Sequence, residues 1–125
     1  MRDEKVLILD KDVDSGQILK EHVNSFGFNK VYLSTNPSIL DDLKNPPAFE
    51  IIFVDTETVT SHKKGRVLKV GAVPDEALVV VMHREYDEWV GELMQLFRSD
   101  HFMKKPFQIQ RVREVLALAK DKKQV

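Results

Sequence analysis

VLILD at positions 6–10 and IIFVD at positions 51–55 decide the fold, because each is an apolar run that ends in an aspartate. A short apolar run bounded by polar residues is typical of a strand buried on both faces, as in a parallel sheet. The residue just past the carboxyl end of such a strand lies in the crevice where open α/β sheets bind their ligands. The two stretches therefore predict that Asp10 and Asp55 converge at one edge of a sheet.

Further strand and helix patterns alternate along the chain. Apolar and β-branched runs predict strands over 5–9, 30–34, 50–54, 78–82 and 101–104. Helical spacing predicts a helix that is capped by Asp14 or Ser15 and ends at Gly27. The residues expected on its buried side are Ile18, Leu19, His22, Val23 and Phe26. Further helices are predicted over 37–43, 85–97 and from 109 onward, with a loop and a short helix over 56–71. The alternation predicts a doubly wound five-stranded parallel sheet with helices on both faces.

Composition restricts the class of protein. The 125 residues suit a single domain spanning 1–125, and 42% apolar with 31% charged residues is ordinary for a globular chain. Nineteen basic and twenty acidic residues leave a net charge of -1, which gives no electrostatic reason to expect nucleic acid or a membrane as partner. There is no cysteine and no apolar stretch of membrane-spanning length. We therefore expect a cytoplasmic protein without disulfides.

A third motif, Lys105-Pro106-Phe107, follows the fifth predicted strand. A lysine at the carboxyl edge of the sheet adds a cation beside the two carboxylates, and such a trio could hold a divalent metal or a phosphoryl group. Each residue also has a simpler interpretation. Asp10 and Asp55 could only cap the turns or helices that follow them, and Lys105 alone could be a solvated surface lysine. The combination favours a site.

These motifs, in this order, resemble the receiver domain of response regulators in two-component signalling, over essentially the whole chain. The resemblance implies a flavodoxin-like (CheY-like) fold in which Asp55 is the phosphoacceptor and takes its phosphoryl group from a histidine kinase or phosphotransfer protein. It implies that Lys105 pairs with the phosphoryl oxygens and that Mg²⁺ is held by Asp10, Asp55 and the backbone carbonyl of Glu57. The cations would screen the approach of one anion to another. Any enzymatic activity would be self-phosphorylation and dephosphorylation at Asp55.

One departure from the receiver pattern concerns the metal. Lys11 stands where receivers carry a second acidic residue, so Mg²⁺ binding should weaken unless Asp12 supplies the missing carboxylate. The Lys11 side chain could form an ion pair with Asp55 that mimics bound metal, or it could be exposed to solvent.

The other departure concerns the switch positions. Met82 or His83, depending on register, stands where receivers place a Ser or Thr at the end of the fourth strand, and neither supplies a hydroxyl. Phe102 keeps the aromatic switch position of the fifth strand, although a phenylalanine lacks the hydrogen bond of a tyrosine.

Two functions follow from the resemblance. The chain is either a receiver that passes the phosphorylation state of Asp55 to a downstream protein or effector domain, or a pseudo-receiver that binds proteins without phosphorylation. In both cases the expected output surface is formed by residues 85–97 and 108–120 beside Phe102, with Trp89 as a candidate contact. The chain could also form a homodimer. A flavodoxin-like cofactor enzyme is disfavoured, because positions 11–15 are too acidic to cradle a phosphate.

Overall fold

The computed structural model describes residues 2–36, 39, 49–61, 77–85, 88–97, 99 and 101–123. Its elements are, in chain order, β1 (Arg2–Leu9), α1 (Val13–Ser25), β2 (Phe28–Ser34), β3 (Ile51–Asp55), α2 (Thr56–Ser61), β4 (Leu78–His83), α3 (Glu88–Leu96), β5 (His101–Lys104) and α4 (Ile109–Lys123). The short helix expected within 56–71 is present as α2. The helix predicted over 37–43 and the rest of the 56–71 segment lie outside the described residues. Among the described helices, none is long and apolar enough to cross a membrane.

The five strands form one parallel sheet in the order β2-β1-β3-β4-β5, which confirms the predicted fold. The chain moves from β1 outward to β2 and then returns to the other side of β1 to form β3. The direction of winding therefore reverses between β1 and β3. A crevice opens at the carboxyl ends of the strands at such a reversal, and Asp10 and Asp55 lie there.

The core consists of two layers, one on each face of the sheet, because neighbouring residues of a strand point to opposite faces. Val6 and Ile8 contribute to the layer covered by α1 and α4, whereas Leu7 and Leu9 contribute to the layer covered by α2 and α3. All the residues of β3 and β4 are buried. This two-sided burial explains why those strands have continuous apolar sequences.

Helix α1 begins earlier than the sequence pattern predicted. Its N-cap is Asp12, which has an extended backbone and accepts a hydrogen bond from the Ser15 N–H at 3.2 Å, so the prediction of Asp14 or Ser15 was wrong. The buried stripe consists of Gly16, Leu19 and Val23, while Ile18 is 51% exposed and does not join the core as predicted. The helix ends as predicted, with Gly27 at a φ of 99°.

Candidate functional site

Lys105 lies between the two aspartates at the carboxyl edge of the sheet. Its ammonium donates to Asp10 Oδ2 at 2.8 Å and to Asp55 Oδ1 at 3.1 Å. Three strand ends supply these groups, because Asp10 follows β1, Asp55 ends β3 and Lys105 follows β5. All three side chains are buried. The convergence expected from the sequence is therefore present, and the trio carries a net charge of -1.

Lys105 is held in its charged form by the aspartates. Burial lowers the pKa of this amine. The hydrogen bonds to Asp10 and Asp55 and the negative charges of both residues outweigh burial, so the pKa is raised above its ordinary 10.5. The Lys105 N–H also donates to the carbonyl of His83 at 2.7 Å, which fixes the start of the Lys105-Pro106 turn against the end of β4. Lys105 is thus a fixed internal cation.

The second oxygen of Asp55 is bound by Thr58. Oδ2 accepts the Thr58 backbone N–H at 2.9 Å and the Thr58 hydroxyl at 2.8 Å. Because α2 begins at Thr56, the first of these bonds is that of a helix N-cap. Capping and site geometry, which the sequence presented as alternatives, therefore occur together at Asp55. The Thr58 hydroxyl oxygen also accepts the Lys11 backbone N–H at 2.7 Å.

The second oxygen of Asp10 is also bound, since Oδ1 accepts the Asp12 N–H at 2.9 Å. Each of the four carboxylate oxygens of Asp10 and Asp55 therefore meets a donor of the chain itself. Within the described residues, no group of three or more acidic or histidine side chains is placed to hold a metal ion. The ammonium of Lys105 bridges the two carboxylates that the resemblance assigns to Mg²⁺, so this arrangement does not fit a divalent ion.

A second cation lies at the rim of the crevice. Arg84, directly after β4, has Nε 3.6 Å from a carboxylate oxygen of Glu57 and Nη2 3.9 Å from Asp12 Oδ2. Glu57 and Asp12 are thus exposed rim residues rather than parts of the buried trio. Of the alternatives for Lys11, the structure shows exposure, and its ammonium makes no ion pair within the described part of the chain.

The end of β4 brings the predicted switch positions beside the trio. Met82 is opposite Asp55 in the sheet, but its side chain belongs to the core layer under α1 and α4. His83 is buried, and its ring packs on that of Phe102 with centroids 5.5 Å apart. Phe102 is 41% exposed, and its carbonyl accepts a hydrogen bond from Arg111 at the start of α4. The Trp89 side chain lies outside the described part of the structure.

Comparison with solved structures identifies the fold. A CheY-like response regulator receiver domain protein from Methanospirillum hungatei JF-1 superposes with a TM-score of 0.74, at 11% identity, over 98% of each chain. The chain has the receiver-domain fold. Two other receiver domains are similar over nearly their whole length: the signal receiver domain of a modulated diguanylate cyclase from Desulfovibrio desulfuricans G20 (TM-score 0.71, 14% identity, 98% of each chain) and that of the Francisella response regulator 1452 (0.66, 18%, 95% of this chain and 98% of that one). No protein-family model and no curated protein sequence matches the chain.

Two residues of this receiver fold were missed by the sequence reasoning. Thr58 lies three residues after Asp55, the spacing at which a helix start returns an N–H to its cap, so the pattern Asp-x-x-Thr was a usable signal. Arg84 follows β4 at the same edge as Asp10 and Asp55, and the rule that located those aspartates applies to it equally. The resemblance to receivers points instead to their neighbours in sequence, namely His83 before Arg84 and Glu57 before Thr58.

Proposed function

We propose that this chain is a pseudo-receiver, a signalling domain that keeps the receiver fold and acts through protein contacts without being phosphorylated. One observation carries the proposal. Every carboxylate oxygen of Asp10 and Asp55 already accepts a hydrogen bond from the chain, and the internal cation Lys105 is shared between the two residues. Each carboxylate oxygen of the site is therefore already engaged by a donor of the chain itself.

Phosphoryl transfer would act against these bonds. Oδ2 of Asp55 uses both of its lone pairs to accept from Thr58, and Oδ1, which keeps a second lone pair, accepts from the Lys105 ammonium with the first. Lys105 would have to leave at least one aspartate to neutralise an incoming phosphate. Hydrogen bonds of this kind stabilise a carboxylate as an anion and make it a poorer nucleophile.

The end of β4 supports the same proposal. In place of a Ser or Thr hydroxyl, β4 ends in His83, whose ring is buried against that of Phe102, so the hydroxyl that would follow a phosphoryl oxygen is missing at this position. Signals would instead be carried by constitutive binding of a downstream protein or effector domain, or of a second copy. The proposed surface includes exposed apolar residues of α3, β5 and α4, namely Leu96, Phe102 and Ile109.

A second candidate function is a phosphate-accepting receiver, with Asp55 modified by a histidine kinase or phosphotransfer protein in the presence of Mg²⁺. The observation that favours it is the position of Asp55 at the carboxyl end of β3, with the Lys105 ammonium 3.1 Å from Oδ1. In this case Mg²⁺ would have to displace the Lys105 bridge, with Asp12 or the Glu57 carbonyl completing its ligands.

Acetyl phosphate separates the two functions. The protein is incubated with acetyl phosphate and Mg²⁺, and intact mass and a ¹H-¹⁵N amide map are recorded, with Asp55→Asn as the matched control. We expect no mass gain of a phosphoryl group, and equal spectral changes in the two proteins. A phosphoryl adduct on the unmodified protein alone, with amide shifts across α3, β5 and α4, would overturn the pseudo-receiver and establish the second function.

A further inference from the structure

Thr58 joins the acceptor carboxylate to the loop between β1 and α1. Thr58 belongs to α2 and is buried. Its hydroxyl oxygen lies 2.8 Å from Asp55 Oδ2 and 2.7 Å from the Lys11 backbone nitrogen. A hydroxyl has one hydrogen to donate and two lone pairs that accept. Because an amide N–H can only donate, the hydroxyl accepts from Lys11 and gives its hydrogen to Asp55. The three groups form a directed chain, Lys11 N–H to Thr58 Oγ1–H to Asp55 Oδ2.

We infer that the Thr58 hydroxyl is a positioning group that couples the state of Asp55 to the start of α1. Lys11 is followed directly by Asp12, the N-cap of α1. Two hydrogen bonds therefore separate the Asp55 carboxylate from the beginning of that helix. Hydrogen bonds in a chain polarise one another, so a change at one end is felt at the other.

The direction of the coupling follows from the donors around Asp55. Lys105 donates to Oδ1 and Thr58 donates twice to Oδ2, so both terminal atoms of residue 55 must be hydrogen-bond acceptors. A carboxamide at position 55 has one oxygen and one NH₂ group, and its NH₂ must face either Lys105 or Thr58. In the second orientation the Thr58 O–H can no longer donate to position 55, because an NH₂ group has no acceptor for it. In the first orientation it donates to a neutral amide oxygen instead of an anion, which weakens the bond. Either change alters the hydrogen bond between the Lys11 N–H and the Thr58 oxygen, and so the chemical shift of the Lys11 amide.

The inference goes beyond the proposed function and does not depend on it, because any change at Asp55 would reach the start of α1 through Thr58 without using β4. Simple helix capping makes a different prediction. If Thr58 only capped α2, its backbone N–H would be the working group, and the Lys11 amide would be insensitive to position 55.

A double-mutant cycle tests the coupling. The ¹H-¹⁵N shift of the Lys11 amide is measured in the unmodified protein, in Asp55→Asn, in Thr58→Val and in the double variant. We expect Asp55→Asn to shift the Lys11 resonance when residue 58 is threonine, and the shift to be lost when it is valine, which keeps the shape but has no hydroxyl. Thr58→Ser is the matched control, because it retains the hydroxyl and should retain the shift.

Two outcomes would overturn the coupling: a Lys11 shift that persists with valine at position 58, or an unmodified background in which Asp55→Asn leaves Lys11 unmoved. If Thr58→Val does not fold, amide exchange in the unmodified protein decides, since a Lys11 N–H that exchanges as fast as a solvated amide makes no bond to Thr58. Failure here leaves the acetyl phosphate result untouched. Conversely, a phosphoryl adduct at Asp55 would reject the pseudo-receiver without removing the coupling.

Discussion

The crevice holds two arrangements with the same pattern of charge, each with one cation between two carboxylates. In the inner triad, Lys105 lies between Asp10 and Asp55, at 2.8 and 3.1 Å, with side chains that are 5%, 1% and 3% exposed. In the rim triad, Arg84 lies between Asp12 and Glu57, at 3.9 and 3.6 Å, with side chains that are 55%, 46% and 50% exposed. The charges are alike, but their surroundings differ.

Burial makes the inner triad sensitive to change and the rim triad tolerant of it. Attraction between charges is weakened by water, so exposed pairs are worth about 0–1 kcal/mol. A buried pair is attracted more strongly, but its members have also lost their hydration, so the net value of the intact pair is modest. Removing one partner is a different matter, because the remaining buried charge has neither water nor a counterion.

Replacement of Lys105 should have the largest effect. Lys105→Met removes the only cation of the inner triad and leaves two carboxylates buried side by side, so we expect the free energy of unfolding to fall by about 3–5 kcal/mol. Urea denaturation at neutral pH measures the loss. Lys104→Met is the matched control, since it changes the net charge equally at an adjacent exposed side chain, and should stay within about 0.5 kcal/mol of the unmodified protein. Equal losses in both variants would contradict the importance of burial.

Alkaline pH should produce a smaller and more specific effect. The pKa of Lys105 is raised in the folded protein above its ordinary 10.5, because its attraction to Asp10 and Asp55 exceeds the effect of burial. The unfolded chain therefore releases this proton first. The resulting stabilisation is complete below pH 10.5 and is lost as pH rises through the raised pKa.

Urea denaturation at increasing alkaline pH measures this effect. The difference in unfolding free energy between the unmodified protein and Lys105→Met should shrink only above pH 10.5. A difference that grew with pH would contradict the sign.

Replacement of Arg84 should have the smallest effect. Arg84→Gln removes the rim cation while keeping a side chain of similar shape, and we expect less than about 1 kcal/mol of destabilisation. The loss should diminish further in concentrated salt, where exposed charges are screened. Denaturation curves at low and high salt measure both quantities. A loss as large as that of Lys105→Met, and independent of salt, would show that the rim triad is energetically equivalent to the inner one.

The sheet and the inner triad could be predicted from sequence because they follow from period and position. Apolar runs fix the strands, parallel strands bring their carboxyl ends together, and Asp10, Asp55 and Lys105 each stand at such an end. None of these steps needs the direction of an individual side chain.

The remaining contacts depend on local geometry that sequence spacing does not specify. Lys11 illustrates this limit. The sequence predicts that its ammonium competes with a metal ion. The side chain is exposed, however, and the backbone N–H of the same residue donates to the Thr58 hydroxyl oxygen. Similarly, the N-cap of α1 is Asp12 rather than Asp14 or Ser15, because the cap is decided by one extended backbone conformation among several suitable polar residues.

The inner triad also has a consequence for the order of events in folding. Lys105 binds Asp10 across 95 positions of sequence and Asp55 across 50, so it unites the first, third and last strands of the chain. Such long closures become favourable only after most of the sheet has assembled. An interaction formed after the transition state slows unfolding and hardly affects the folding rate. We therefore expect the loss in Lys105→Met to fall on the unfolding arm of a stopped-flow chevron, with the inner triad acting as a latch that closes last and governs the lifetime of the native state.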